Sequence, residues 1–171
     1  PGFPMHIPPK EVNAIILTHS HLDHSGAIPI FYIKDGKPVY GTSLTFKFTS
    51  LLIKDFIKLS GYYLPFEYLE LRTMMKHSIN VGFREERTIG DFKFQLLNSG
   101  HIPGGAQVLL EAEGKRILYT SDYNAIETRL LEGADQDYGE LDAVIIESTY
   151  ADEDHTERSL LERRFIEAVR E

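Results

Sequence analysis

Three histidines and an aspartate fall within six residues, His19-Ser20-His21-Leu22-Asp23-His24. Imidazole nitrogen and carboxylate oxygen are donors that suit zinc and related divalent cations. One histidine in a loop is usually a surface residue; this density points to a metal. The run directly follows VNAIILTH, an apolar, β-branched segment that reads as a buried strand. At i and i+2 of an extended stretch, His19 and His21 point to the same side. Asp23 and His24 are neighbours, so their side chains are expected to diverge. Two ligands aimed at one point and two aimed elsewhere suggest a pair of ions. A structural zinc wants four ligands and no open position, whereas a catalytic pair leaves room for water.

Further candidates stand where later apolar segments give out. His101 follows KFQLLNSG, Asp122 follows KRILYTS, and Glu147 follows DAVII. Strand ends are the usual place for sites in α/β folds. Glycines around His101, in SGHIPGG, let backbone approach closely. Taken singly, Asp122 reads equally well as a turn residue or helix cap, and Glu147 reads better as a salt-bridged strand end than as a catalytic group. His6 and His77 read as structural or surface residues, and His155 stays unassigned.

The elements that must position these groups alternate in type. The short segment HSGAIPIFYI can begin as a helix with Pro29 near its first turn. KPVYGT reads as a strand after a turn at KDGK. Residues 43–60 place Leu44, Phe48, Leu51, Leu52, Phe56 and Leu59 at helical spacing, with Ser43 as N-cap and Gly61 as stop. PFEYLELRTMMKHS reads as a second helix with Pro65 at its first position. The aromatics Tyr62, Tyr63, Phe66 and Tyr68 read as helix packing rather than base-stacking platforms. Residues 84–101 form a hairpin around Gly90-Asp91, and residues 106–122 a second around Glu113-Gly114. LDAVIIEST reads as one more buried strand, and Thr156 caps a final helix, ERSLLERRFIEAVRE. Strands buried on two sides together with helices predict a layered α/β architecture.

Composition sets the outer bounds. The 171 residues suffice for one domain with a sizeable core. Hydrophobic residues make up 42% and charged residues 26%, as in ordinary globular proteins. No apolar run is long enough to span a membrane, and no signal-peptide pattern opens the chain. Cysteine is absent, which excludes disulfides and thiolate metal sites and fits a cytoplasmic setting. The net charge of −8 alone argues against nucleic acid. Bound cations would offset clustered carboxylates, however, so the charge excludes nothing here. The chain opens at Pro1 and ends within a helical pattern, as expected of part of a longer polypeptide.

These residues resemble a known family. His19 to His24 matches the H-x-H-x-D-H signature of the metallo-β-lactamase superfamily; SGHIPGGAQVLL is similar to its third motif and ILYTSDYN to its fourth. IIESTYADEDH resembles the first motif of the β-CASP group of RNA- and DNA-processing nucleases. ESTY is particularly similar to the mRNA 3′-end-processing endonuclease subunit and its archaeal relatives. The resemblance runs from about Val12 to the end. It implies an αββα sandwich, here incomplete: residues 1–171 are a partial metallo-β-lactamase domain that lacks the early strands. It ends near where a β-CASP domain would follow.

The resemblance also implies a ligand set and a reaction. One zinc takes His19, His21, His101 and a shared Asp122. The other takes Asp23, His24 and Asp122, plus a histidine from outside this chain, since none of the seven histidines here fits that place. Two ions about 3.5–4 Å apart would clamp a phosphate and activate a water for in-line attack. A histidine of the missing cassette would be the general acid, oriented by Glu147. The implied function is a zinc-dependent phosphodiester hydrolase acting on RNA, single-stranded, of the 3′-end-processing or RNA-decay type. It would work as a homodimer or within an RNA-processing complex. Endonuclease and exonuclease action both stay open, and so does DNA in place of RNA. Two other readings keep the fold: a small-ester or thioester hydrolase, and a non-catalytic scaffold subunit. The standing ligands argue against the scaffold, and ESTY argues against the esterase.

Overall fold

The apolar run after Val12 forms hydrogen-bonded strand only at Ile15–Ile16 (β1), and it continues as buried backbone through Leu17, Thr18, His19 and Ser20. A single helical turn follows, α1 (Leu22–Ser25), and then a 3-10 turn at Ile28–Tyr32 with Pro29 near its start. KPVYGT supplies β2 (Val39–Gly41), which pairs in parallel with β1. The computed structural model describes residues 7–34, 36–60 and 63–170. His6, Asp35, Gly61 and Tyr62, and with them part of the expected KDGK turn and the expected helix stop, lie outside the described residues.

Helix α2 (Ser43–Leu59) begins one residue earlier than expected in its cap. Thr42, not Ser43, is the N-cap, and its hydroxyl accepts from Thr45 N at 3.2 Å. The buried face is also different. It comprises Thr45, Phe46, Thr49 and Ile53, while Leu44, Phe48, Leu51 and Leu59 are exposed. Apolar residues lie all round this helix, so spacing alone leaves its rotation open. The Thr42 and Thr45 hydroxyls both donate to Gly104 O at 2.8 Å, which turns that polar pair inward.

Helix α3 (Tyr68–Lys76) starts three residues after Pro65. Glu67 and Glu70 form a capping box there, with Glu67 N donating to Glu70 Oε2 at 2.8 Å. Of the aromatics assigned to helix packing, Phe66 is in the core, but Tyr63 is almost fully exposed and Tyr68 is half exposed. The helical pattern also ends earlier than expected. Ser78–Asn80 is a strand, β3, paired in parallel with β2. Three residues are too few to show a strand period.

Both expected hairpins are present. β4 (Glu86–Ile89) and β5 (Phe92–Asn98) flank Gly90, and β6 (Ala106–Ala112) and β7 (Lys115–Tyr119) flank Glu113-Gly114. Glu113 and Gly114 both have positive φ, 52° and 71°, as a tight two-residue hairpin requires. β8 (Ala143–Ile145) joins β7 in parallel. It was expected to be buried, and it is not: Val144, Ile145 and Ile146 are about half exposed. β8 is the last strand of its sheet, and none of the described elements covers its face. The final helix, α4 (Arg158–Arg170), buries no side chain. Its first turn hangs on Glu157 O, which accepts from Leu160 N and Leu161 N, rather than on Thr156.

The result is a layered α/β fold of two sheets, β1-β2-β3 and β4-β5-β6-β7-β8. One core cluster joins Leu17 and Val39 of the first sheet to Phe46, Ile53, Leu71 and Met74 of α2 and α3. A second lies between the sheets, where Val81, Phe94, Leu96, Ala106 and Val108 meet Ile16 and Tyr40. The order is therefore helices, sheet, sheet, with α4 tethered outside by an Arg129–Glu162 ion pair at 2.9 Å. Among the described residues, no helix is long and apolar enough to cross a membrane.

Candidate metal centre

The strand ends deliver four segments to one place. Past β1, the backbone carries His19 inward and sets His21 at the N-cap of α1. The β5–β6 connection brings His101. The segment after β7 brings Asp122, and the one after β8 brings Glu147.

The His101 loop is placed by close backbone contact. Gly100, at φ +66°, lies so near the later chain that a Cβ would sit 2.3 Å from Asn124 O and 2.6 Å from Ala134 N. Gly104, at φ +83°, has the same relation to α2, 2.7 Å from Leu44 Cβ and 2.8 Å from Thr42 Oγ1. Asn124 N donates to Ser99 O at 2.8 Å, and Asn98 Oδ1 accepts from Gly100 N at 3.1 Å. The loops of His101 and Asp122 are therefore braced against each other.

His19, His21, His101 and Asp122 converge, each offering one ligand atom, all within 4.8 Å of one another. His101 Nε2 is 3.2 Å from His21 Nδ1. Asp122 Oδ2 is 3.5 Å from His101 Nε2 and 3.6 Å from His19 Nε2. Four donors at zinc–ligand bond lengths and tetrahedral angles would stand about 3.3 Å apart. The three separations fall close to that. His19 Nε2 is also buried without a hydrogen-bond partner among the described residues. A buried polar atom left unmatched is costly unless something outside the protein satisfies it. The cluster thus fits a metal ion on both geometry and chemistry.

Asp122 faces two ways. Its Oδ2 looks toward His19 and His101, and its Oδ1 lies 3.4 Å from His24 Nε2. His24 in turn is 3.5 Å from Asp23 Oδ2. The expected divergence of Asp23 and His24 is not seen. They share the single turn of α1, and the imidazole of His24 is long enough to reach both carboxylates. Asp23 is the open member, with its side chain 76% exposed.

The electrostatics favour neutral imidazoles at His19 and His101. Burial, reinforced by the neighbouring His24, His101 and His21, pushes the pKa of His19 down to about 3, against a smaller upward pull from Asp23. Burial also lowers His101, outweighing the upward pull of Asp122. Neutral rings keep a lone pair free for a cation. Glu147 stands beside this cluster. Its Oε1 accepts from Tyr123 N at 2.9 Å, and its own N donates to Thr120 Oγ1 at 3.3 Å. Burial raises its pKa, but hydrogen bonds from Thr149 and from Tyr123 N, with the charge of His101, bring the net below the usual carboxylate range. The glutamate is therefore an anion that holds the segment after Asp122.

Two residues were passed over in the sequence. Thr18 Oγ1 and Ser121 Oγ each lie 3.3 Å from His19 Nδ1 and 2.9 Å from each other. The one available signal was a hydroxyl residue directly before His19 and before Asp122. His77 and His155 stand apart from the cluster; His77 Nδ1 contacts Thr73 O at 2.9 Å, and His155 packs on Tyr150 with ring centroids 4.7 Å apart.

The family model of the metallo-β-lactamase superfamily matches residues 3–161. The chain belongs to the metallo-β-lactamase superfamily. It is 38% identical over 173 residues to "RNase aCSPSF2" of Saccharolobus solfataricus, covering all of this chain and 35% of that protein. It is 37% identical over 169 residues to "Transcription termination factor FttA" of Pyrococcus abyssi, covering 92% of this chain and 26% of that one. A plant relative, "Cleavage and polyadenylation specificity factor subunit 3-I" of Arabidopsis thaliana, is 30% identical over 169 residues, covering 95% of this chain and 24% of its own. These are proteins of the RNA-processing kind that ESTY anticipated. The chain spans about a third or less of their length. Metallo-β-lactamase proteins are metal-dependent, and the His/Asp cluster is where this one can hold its metal.

Proposed function

We propose that residues 1–171 are part of the metallo-β-lactamase domain of a zinc-dependent ribonuclease of the 3′-end-processing or RNA-decay type. The observation that carries this reading is the two-faced Asp122, with one oxygen toward His19 and His101 and the other toward His24. A carboxylate so placed suits a bridge between two cations. His19, His21, His101 and Asp122 would hold the first; Asp23, His24 and Asp122 would hold the second, with a further ligand from outside these residues. The relatives' names support RNA as substrate.

Zinc ions bound there would supply Lewis acidity toward a phosphoryl group and lower the pKa of water for attack at neutral pH. The protein's own part is to pre-organise. His19 stays neutral because it is buried, so no proton has to leave before it can serve as a ligand. The braced loops hold His101 and Asp122 at fixed separation without reorganisation. Asp23 is the most solvent-open of the carboxylates proposed as ligands, 76% exposed against 29% for Asp122. Glu147 keeps the Asp122 segment in place through Tyr123 N, is itself held by Thr149, and would orient a general-acid histidine from elsewhere in the protein. The reading goes with a cytoplasmic protein that acts as a homodimer or in an RNA-processing complex.

Elemental analysis together with RNA cleavage by the whole protein tests it. Close to two zincs per chain and zinc-dependent cleavage of single-stranded RNA are expected. A folded protein that binds no zinc, or a zinc-loaded one that cleaves thioesters and leaves RNA intact, would overturn it.

A further inference from the structure

We infer that Thr18 and Ser121 act as a hydroxyl pair that fixes the tautomer of His19 and ties it to Asp122. The two residues are 103 positions apart, yet their hydroxyls hydrogen-bond at 2.9 Å. Both are buried, and both lie 3.3 Å from His19 Nδ1. This inference rests on the reading of the cluster as a metal site. A histidine that gives Nε2 to a cation must carry its proton on Nδ1, and that N–H needs an acceptor. No carboxylate or backbone carbonyl is seen at His19 Nδ1 among the described residues; the two hydroxyl oxygens are what it meets. A hydroxyl has lone pairs to accept and a proton that can rotate away, so the pair can take the Nδ1 proton while bonding to each other.

The pair also couples two ligands. Thr18 directly precedes His19, and Ser121 directly precedes Asp122. Ser121 is held at φ +51°, a left-handed conformation that a serine adopts only when its surroundings impose it. Its hydroxyl bond across to Thr18 is one such constraint, and it sets the angle at which the next residue leaves the strand end. Thr18 and Ser121 are thus positioning residues for both the imidazole and the carboxylate.

Nitrogen-15 NMR of the histidine rings in chelator-treated protein reads the tautomer without metal, and zinc titration reads affinity. The variants are T18V and S121A, which lose a hydroxyl, S121G, which also relaxes the positive φ, and T18S, which keeps the hydroxyl. Expected are a His19 proton on Nδ1 in the wild type and in T18S. The hydroxyl-less variants should lose that preference and bind zinc about 10–100-fold more weakly. A wild-type His19 protonated on Nε2 overturns the inference whatever the variants do. So does zinc affinity within twofold of wild type in both T18V and S121A. If S121G binds as tightly as wild type, the backbone and not the hydroxyl positions Asp122, and the pair is refuted. A wild type that binds no zinc but shows the Nδ1 proton refutes the metal reading and leaves the hydroxyl pair standing.

Discussion

Asp122→Ala is the perturbation that separates a bridging carboxylate from an ordinary ligand. In the structure its oxygens lie 3.4–3.6 Å from His24, His101 and His19, so one substitution takes a ligand from each of two groups. Loss of a residue that merely supports a ligand costs about 10–100-fold in metal affinity, so loss of a direct ligand should cost at least about 100-fold at one of the two sites. That is about 2.8 kcal/mol of binding free energy. Zinc that binds only the folded state transmits this difference to folding stability. In a chain of this size each kcal/mol moves Tm by about 2–4 °C, so the rise in Tm on adding excess zinc should shrink by about 6–11 °C. Thermal unfolding with zinc and with a chelator isolates that difference from any effect on the metal-free fold. Elemental analysis should show at most one zinc per chain in the variant. Two tightly held zincs and an undiminished zinc-dependent rise in Tm would refute the bridging role.

Other outcomes follow from the same geometry. Glu147→Gln in the whole protein keeps an acceptor for Tyr123 N, so it should lower turnover with both metals retained; loss of metal would show that Glu147 acts on the ligands and not on proton transfer. Gly100→Ala forces a side chain at φ +66° against Asn124 O and Ala134 N, and denaturant unfolding should record a loss of at least about 2 kcal/mol; a loss under half of that would mean the loop brace yields easily. Thr42→Ala removes both the cap of α2 and a bond to Gly104 O, for about 1–2 kcal/mol of stability. If the His101 ring resonances are unchanged in that variant, the helix cap does not position the loop. Phe94→Ala, at the centre of the inter-sheet core, should cost about 3–5 kcal/mol, and an equilibrium shift below 2 kcal/mol would argue that the two sheets do not depend on it.

The residues that converge at the cluster were legible because their chemistry is local. His19 through His24 announce themselves by density, and His101, Asp122 and Glu147 stand where hydrophobic runs stop. The two hairpins were legible for a similar reason, since Gly90 and Gly114 mark turns that need positive φ. The face of α2 was not legible. With apolar residues on several sides, rotation is set by what the helix meets, and the Gly104 carbonyl draws Thr42 and Thr45 inward. The exposure of β8 was not legible either, because an apolar strand has the same sequence whether or not another layer covers it.

By itself, then, the sequence determined the donor types, their order and the strand ends that carry them, because residue identity and short-range spacing belong to the chain before it folds. Tertiary structure alone decided that Asp122 turns one oxygen to His19 and His101 and the other to His24. It alone brought Thr18 and Ser121 together at His19 Nδ1. Apart from His101 with Asp122 and the adjacent Thr18 and His19, those contacts join residues about a hundred positions apart, and their distances are fixed by how two sheets pack, which no local pattern encodes.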